Sequence, residues 1–427
     1  MSPSEADDTA PLRGSPARAL LGATIGFFIG FGAVSLFGPT ADRFIEAMQL
    51  SPVQVGFLVS MPMLTGSLLR IPFGAWVDTT GGKQPFLFLL VLSVIGIAGL
   101  WWMLLTLYPD ELTQAHYPWL LLFGALGGCG IASFSVGIGQ VSYWYPRRRQ
   151  GWALATYAGL GNTSPGLVAI ILPLIIGAFG LWAAYLVSLA IVLVGFVLYL
   201  ALGHNAWYFQ LLQRGHEPRA ARARAGELGQ ELFPGESIAR TLIDSARQWR
   251  TWPLVLLYFT TFGGFLALTS WLPTYWQQYF SVSHWTAVGM TAAFSLLSSL
   301  IRVPGGNWAD RLGGERVAGA SLALLGAAAL VASFAASPWV AAPALLAVAV
   351  GMGVNNAAVF RMVPNYVPES VGGASGWVGG LGALGGFAVP PVLGRIVEWL
   401  GPLGYARGYL VYVGLTALLR RMPPAHD

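Results

Sequence analysis

Apolar stretches of about 20 residues recur along the whole chain, and they constrain its fold more than any other feature. The chain is 55% hydrophobic and 10% charged, whereas soluble domains carry about 25% charged residues. An outer-membrane barrel would show short alternating strands instead. The pattern predicts an all-α integral membrane protein. Twelve spans are predicted, with approximate limits 19–41, 53–78, 85–107, 117–144, 151–178, 180–202, 253–279, 285–308, 316–336, 338–361, 371–393 and 403–419.

The longest polar stretch divides these spans into two sets of six. We therefore expect an N-terminal tail over 1–18, a six-helix bundle over 19–202, a linker over 203–252, a second bundle over 253–419 and a tail over 420–427. The linker is expected to be mobile or helical. No cleavable signal peptide is expected, because the first 18 residues contain no apolar core.

Most of the 23 basic residues fall on one side if both termini and the linker share that side. Basic loops remain in the cytoplasm, so we expect both termini and the linker to be cytoplasmic and the protein to lie in the cytoplasmic (inner) membrane. Arg147–Arg149 are interpreted as a mark of topology and lipid contact. Because the basic residues are spread over loops, no nucleic-acid partner is expected.

The two halves of the chain repeat one motif. "SLLRIPFGAWVDTTGG" begins at Ser67, and "SLIRVPGGNWADRLGG" begins at Ser299, 232 residues later. Both copies would cross the membrane in the same direction, so the two halves form pseudo-symmetric six-helix bundles related by an axis along the membrane normal. Two-lobed secondary transporters are built in this way. The matched pairs include Arg70 and Arg302, Pro72 and Pro304, Gly74 and Gly306, Trp76 and Trp308, and Asp78 and Asp310.

The repeated arginine lies deep in its span. It stands eight residues before the aspartate at the end of the motif, or about 12 Å inward at 1.5 Å per residue, close to the middle of a hydrocarbon core about 30 Å thick. A charge at this depth costs at least ~2.5 kcal/mol and needs a partner. All 18 acids lie in tails, loops or span ends, which argues against an internal salt bridge. We interpret Arg70 and Arg302 as a clamp for a small oxyanion, which two planar guanidinium groups suit; the alternative is a purely structural role.

Titratable groups are absent from the middle of the spans as well. The five histidines lie in loops or at span ends, and proton coupling normally uses an aspartate, glutamate or histidine within the spans. This favours exchange of one anion for another over proton symport, although a tyrosine or the substrate could carry a proton. The spans hold no nucleophile–base pair and no cluster of metal ligands, so neither an enzyme nor a metal or other cofactor is expected.

The ends of the repeated motif, "GAWVDTTGGK" and "GNWADRLGGER", resemble the loop motif of the major facilitator superfamily, with Thr79 in place of the usual basic residue. The resemblance implies the major facilitator fold and a gating role for this loop, and simple helix capping is the alternative. Arg361, at a helix end on the same side, is a further candidate for gating or entry. The gating residues implied by the motif are Gly74, Asp78, Gly306 and Asp310.

Three further segments, "YPRRRQGWALATYAGLGN", "VFRMVP" and "GALGGF", together with the deep arginines, resemble the nitrate/nitrite porter family (NarK type) of this superfamily over nearly the full chain. The resemblance implies alternating-access transport of nitrate and/or nitrite without a cofactor. It implies that Arg70 and Arg302 clamp the anion and that Asn162 donates an amide hydrogen bond. The other implied contacts are Tyr258 and Phe262 of "LLYFTTFGGF", Phe134 as a second aromatic wall, and Gly382 for close approach of the eleventh span; helix packing is the alternative for Phe134, Phe262 and Gly382.

We expect nitrate/nitrite exchange by a monomer in the lipid bilayer. One alternative is nitrate–proton symport. Another is a porter for a different organic or phosphate-bearing anion, which would need a wider polar cavity. A proton-coupled exporter of hydrophobic compounds is disfavoured, because no carboxylate is predicted at depth.

Overall fold

The computed structural model describes residues 11–234, 238–368 and 371–421, and these residues form helices without any strand. Among the described residues, eleven helical segments are long and apolar enough to cross a membrane, which confirms the all-α prediction. The predicted twelfth span corresponds to two shorter helices, Leu403–Arg407 and Leu410–Arg421. Spans 1 to 11 are Pro16–Met48, Pro52–Thr80, Lys83–Leu107, Gln114–Trp144, Arg147–Phe179, Leu181–Leu202, Thr251–Phe280, His284–Leu312, Gly314–Phe334, Pro338–Tyr366 and Val371–Leu400.

Several spans are interrupted near their middle rather than continuous. Span 1 passes from Pro16–Phe31 through the 3₁₀ turns Gly32–Ser35 and Gly38–Thr40 to Ala41–Met48; span 4 contains Tyr117–Gly128, Cys129–Ala132 and Ser133–Trp144. Spans 2, 5, 8 and 11 each contain two helices. Span 2 contains Pro52–Leu68 and Arg70–Thr80, and span 5 contains Arg147–Gly161 and Ser164–Phe179. Span 8 contains His284–Leu300 and Arg302–Leu312, and span 11 contains Val371–Ala383 and Gly385–Leu400. Span 7 contains a π turn, Phe259–Gly263, between Thr251–Tyr258 and Gly264–Phe280.

The breaks in spans 2 and 8 follow from the repeated proline. Pro72 and Pro304 lack an N–H group, so the carbonyl four residues earlier loses its helical partner. The first helix accordingly ends at Leu68 in span 2 and at Leu300 in span 8. In both spans the second helix begins with the repeated arginine.

In the described part of the segment between spans 6 and 7 there are three helices, Trp207–Gln213, Pro218–Glu227 and Ile238–Arg247. We call the end of the bundles where this segment lies the linker end. The Asn205 side chain donates to Thr80 O and accepts from Lys83 N, each at 2.9 Å, and so caps the loop between spans 2 and 3. Trp377 of span 11 donates to Leu242 O at 2.9 Å. The described part of the linker is therefore largely helical and packed against both bundles.

The two bundles pack closely at the end opposite the linker. A Cβ added at Gly56 of span 2 would lie 2.5 Å from Pro390 O of span 11, and one added at Gly38 of span 1 would lie 2.6 Å from Ser270 O of span 7. Asp42 and His284 form a further contact between the bundles, with 3.6 Å between Oδ2 and Nδ1. Glycine at these positions allows the two backbones to approach without side chains between them.

Candidate functional site

Arg70 is the most deeply buried cation among the described residues, with 1% of its surface exposed. Its Nε donates to Gly66 O at 3.1 Å, and its Nη1 donates to Gly379 O of span 11, also at 3.1 Å. Its Nη2 has no hydrogen-bond partner in the described part of the chain. Arg70 is thus held by two backbone carbonyls, one from each bundle, and keeps one donor nitrogen for another partner.

Aromatic rings surround the arginine pair. The Phe262 ring centroid lies 5.2 Å from Cζ of Arg70 and 5.5 Å from Cζ of Arg302. The Phe134 ring centroid lies 4.9 Å from Cζ of Arg70. Such contacts between cations and ring faces are attractive. Arg70 and Arg302 therefore approach the same ring from the two bundles, and within the described ranges neither forms an ion pair with a carboxylate.

Tyr258 extends this aromatic wall. Its ring stacks on Phe262 with 4.7 Å between centroids, and the Phe360 ring lies nearly perpendicular to it with 5.1 Å between centroids. Its buried hydroxyl lies near both arginines and interacts with the Arg302 side chain, although the geometry of that contact falls short of a normal hydrogen bond. Glycine at position 382 leaves room for the Tyr258 ring, because a Cβ added there would lie 2.8 Å from Cδ1 of Tyr258. The space beside Gly382 is occupied by Tyr258, and a direct contact between Gly382 and substrate stays a prediction.

Asn162 lies at the break in span 5, between the helices that end at Gly161 and begin at Ser164. The residue is fully buried. Neither Oδ1 nor Nδ2 of its amide has a hydrogen-bond partner in the described part of the chain. A buried amide without a partner costs about 1–3 kcal/mol, so this side chain is suited to a ligand that supplies the missing bonds.

The π turn in span 7 places Phe262 at the site. Single π turns inside α-helices are frequent at functional sites. A Cβ added at Gly263 would lie 2.6 Å from Cα of Gly385, so spans 7 and 11 approach closely at this turn. The turn was not predicted from the sequence, because no residue pattern distinguishes it from a regular α-helix.

Three of the predicted gating residues, Asp78, Asp310 and Arg361, lie at the linker end, away from Arg70 and Arg302. The Tyr143 hydroxyl donates to Asp78 Oδ1. Asp310 Oδ1 pairs with Arg361 Nε at 2.9 Å, and both side chains are at least half exposed. Exposed ion pairs of this kind contribute about 0–1 kcal/mol. Each pair joins two spans of a single bundle, and the gating roles stay predictions.

The two motif glycines are not required by tight packing in this structure. A Cβ added at Gly74 would lie 3.6 Å from Cβ of Ser135, and one added at Gly306 would lie 3.9 Å from Cβ of Ala357. Both are ordinary van der Waals distances. A role of Gly74 and Gly306 in gating therefore depends on another conformation and stays a prediction.

Sequence reasoning missed several aromatic residues beside the site. Tyr157 stacks on Phe134 and donates to its carbonyl at 3.1 Å. The Phe27 ring packs against Phe134 and Phe31, with 5.2 Å and 4.9 Å between the ring centroids. A second repeat in the sequence would have identified Phe27 and Phe31: "FFIGFG" begins at Phe27 and "YFTTFG" begins at Tyr258, 231 residues later. It relates Phe27 and Phe31 to the stacked pair in span 7.

Comparisons with known proteins bear on the family and the fold. The family model of the Major Facilitator Superfamily matches residues 23–390 and 281–419. The fold resembles the inward-open xylose transporter XylE of E. coli, with a TM-score of 0.73, 13% identity and coverage of 95% of both chains. That likeness concerns the fold alone.

Two relatives are similar over most of their length. The "Probable nitrate/nitrite antiporter NarK1" of Thermus thermophilus is 30% identical over 90% of this chain and 86% of its own. The "Probable nitrate/nitrite transporter NarK2" of Mycobacterium tuberculosis is 29% identical over 97% and 99%. The chain is an integral membrane protein, and it belongs to the nitrate/nitrite porter family (NarK type) of the major facilitator superfamily.

Proposed function

We propose that the protein moves nitrate and/or nitrite across the cytoplasmic membrane by alternating access, as a nitrate/nitrite exchanger. One observation carries the proposal: two arginines from opposite bundles lie beside the same buried ring, Phe262, without a carboxylate partner in the described ranges. The names of the two relatives point to the same substrates.

The chemistry of the site suits a small planar oxyanion. Arg70 Nη2 and the Asn162 amide are buried polar groups without partners among the described residues, and the buried Tyr258 hydroxyl faces Arg302. Guanidinium, amide and hydroxyl groups can all donate to anion oxygens. Phe134 and Phe262 offer ring faces that limit the width of the site, and Gly382 supports it through Tyr258. In this proposal Arg70 and Arg302 hold the anion from the two bundles.

Exchange follows from the charges of the pair. A bound anion reduces the repulsion between Arg70 and Arg302, so the bundles can close around it and reopen on the other side. Without an anion the two positive charges oppose that closure. The carrier would then cross mainly in its loaded form, which links export of one anion to import of another.

The remaining features of the proposal concern orientation and assembly. Both termini and the linker are cytoplasmic, and the protein works as a monomer in the bilayer, with tails, bundles and linker divided as the sequence predicts. The linker end is then the cytoplasmic end. Asp78, Asp310 and Arg361 lie at that end, where they would control its opening.

Counterflow in liposomes tests this function. Purified protein is reconstituted, and uptake of labelled nitrate is followed with nitrite, nitrate or no anion inside. We expect rapid uptake only when an internal anion is available for exchange. Rapid uptake into liposomes without internal nitrate or nitrite, driven by a pH gradient, would instead establish proton symport.

A competition series tests the identity of the anion. Nitrate, nitrite, formate and phosphate are compared for their ability to displace labelled nitrate from purified protein. We expect nitrite to compete and phosphate to fail, because the aromatic walls leave a narrow site. Strong competition by phosphate would favour a porter for a larger anion.

A further inference from the structure

At the level of the site, each arginine-bearing span makes a hydrogen bond to the opposite bundle. In span 2, Arg70 donates to Gly379 O of span 11. In span 8, the Ser299 hydroxyl lies 3.0 Å from Asn162 O of span 5 and 2.9 Å from Ser295 O of its own helix, so its single O–H can be shared between the two carbonyls. Ser299 stands three residues before Arg302, so this second bond connects the arginine span of one bundle to the candidate amide ligand of the other.

The Asn162 carbonyl is available for this bond because span 5 is broken there. The preceding helix ends at Gly161, and the next begins at Ser164. Within the described ranges, no backbone N–H donates to Asn162 O. Both Asn162 and Ser299 are buried, so water is not a ready substitute, and loss of the hydroxyl would leave a buried carbonyl without a partner.

The sequence repeat supplies a natural comparison. Ser67 matches Ser299 at the offset of 232 residues and likewise stands three residues before an arginine. Ser67 is fully buried, but its hydroxyl has no partner in the part of the chain that the structure describes. The two serines share residue type, burial and distance from an arginine, and they differ in whether the hydroxyl reaches Asn162.

We propose that Ser299 is a positioning residue that fixes the Asn162 main chain and so aims the unpartnered amide at the anion. The inference rests on the proposed function of the site and adds a mechanism to it. The bond exists only while spans 5 and 8 are in contact. When these spans separate, the bond from Ser299 no longer fixes the Asn162 main chain. The affinity for the anion is then lower in the conformation in which the site is open between spans 5 and 8.

A double-mutant cycle tests this proposal. Nitrate affinity and counterflow are measured for the full-length wild-type protein and for S299A, S299T, S67A, N162A and S299A/N162A. We expect S299A to weaken nitrate binding about tenfold, a size typical of one lost hydrogen bond, with little change in the maximal exchange rate. S299T keeps a hydroxyl and should restore most of the affinity. S67A should remain within about twofold of wild type.

The double variant carries the decisive comparison. If Ser299 acts through Asn162, S299A/N162A should bind nitrate as weakly as N162A alone. Additive losses from S299A and N162A, or equal losses from S299A and S67A, would overturn the positioning role. Thermal unfolding without anion shows whether any variant has lost its fold, and S299T then serves as the folded variant for the comparison.

The two proposals can fail separately. If wild-type protein binds nitrate and S299A behaves like S67A, only the positioning role is overturned. If wild-type protein binds formate or phosphate but not nitrate, the proposed substrate is wrong, and the same cycle is measured with the anion that binds. If none of these anions binds, both proposals are overturned.

Discussion

At the residue scale, the repeated arginines are equivalent in sequence but not in their surroundings. Arg70 is almost fully buried and donates to carbonyls of both bundles. Arg302 is only partly buried, and its aromatic neighbours are Phe262 and Tyr258. Arg70 therefore stabilises the fold as well as facing the site, whereas the less buried Arg302 side chain can move more readily with the anion.

This difference predicts unequal effects of lysine. We expect Arg70→Lys and Arg302→Lys both to abolish nitrate counterflow, because an ammonium group cannot reproduce the planar guanidinium fork. Arg70→Lys should also lower stability, by about 1.5–3 kcal/mol for each lost charged hydrogen bond. Thermal unfolding in detergent without anion measures this second effect. Full transport in either variant would remove the clamp, and equal stability of the two would contradict the structural role of Arg70.

Gly382 tests the aromatic wall without touching a charge. A methyl group at this position would lie 2.8 Å from Cδ1 of Tyr258, so Gly382→Ala should displace the tyrosine and weaken nitrate binding several-fold, as a displaced hydrogen bond of about 1 kcal/mol would. Gly372→Ala, in the same helix, has nothing within 4 Å of the added Cβ and is the matched control. The affinity of both variants is measured by nitrate titration. Equal affinities would show that Tyr258 does not depend on this glycine.

Sequence reasoning named side chains that the structure brings together, but it did not predict all of their contacts. The repeat located Arg70 and Arg302, and the structure brings both beside the predicted Phe262. The positions of the acids led us to expect no carboxylate beside the two arginines, and no ion pair joins either arginine to a carboxylate among the described residues. Sequence reasoning is silent on neutral partners. The sequence did not predict that the carbonyls of Gly66 and Gly379 would accept hydrogen bonds from Arg70. Every residue has a backbone carbonyl, so no residue type indicates which carbonyl will be the acceptor.

At the element scale, breaks within helices position the site. Spans 2 and 8 restart at the arginines, span 5 breaks at Asn162, and span 7 makes a π turn at Phe262. The prolines after the two arginines could have predicted the first two breaks. The π turn depends on tertiary packing of span 7 against span 11 through Gly263, which a single sequence does not reveal.

The proline breaks make a prediction about stability and transport. Pro72→Ala would restore the N–H that can bond to the carbonyl of Leu68 and let span 2 continue as one helix. A proline inside a helix costs about 3 kcal/mol, so we expect the variant to be more stable to heat than the wild type and slower in nitrate counterflow. Pro304→Ala is the matched variant in the second bundle. Unchanged exchange in both would show that the breaks do not take part in transport.

At the scale of the whole molecule, the repeat predicted two bundles but not how they meet. Their close approach at the end opposite the linker depends on particular glycines, such as Gly56 against Pro390. Asp42 and His284 add a contact between the bundles at the same end. These contacts join residues far apart in the chain and are not part of the repeated motif, so the sequence pattern could not place them.

Alternating access requires that these contacts break during each cycle, and a cross-link across them tests this. Phe57 of span 2 and Phe387 of span 11 have ring centroids 6.0 Å apart, so cysteines at both positions should react with a short bismaleimide. Cys129 is the single native cysteine, and replacing it with alanine gives a clean background. We expect the cross-linker to stop nitrate counterflow in the double variant and to leave each single-cysteine variant active. Undiminished exchange in a fully cross-linked protein would mean that this end of the bundles stays closed throughout transport, and alternating access in the proposed form would then be wrong.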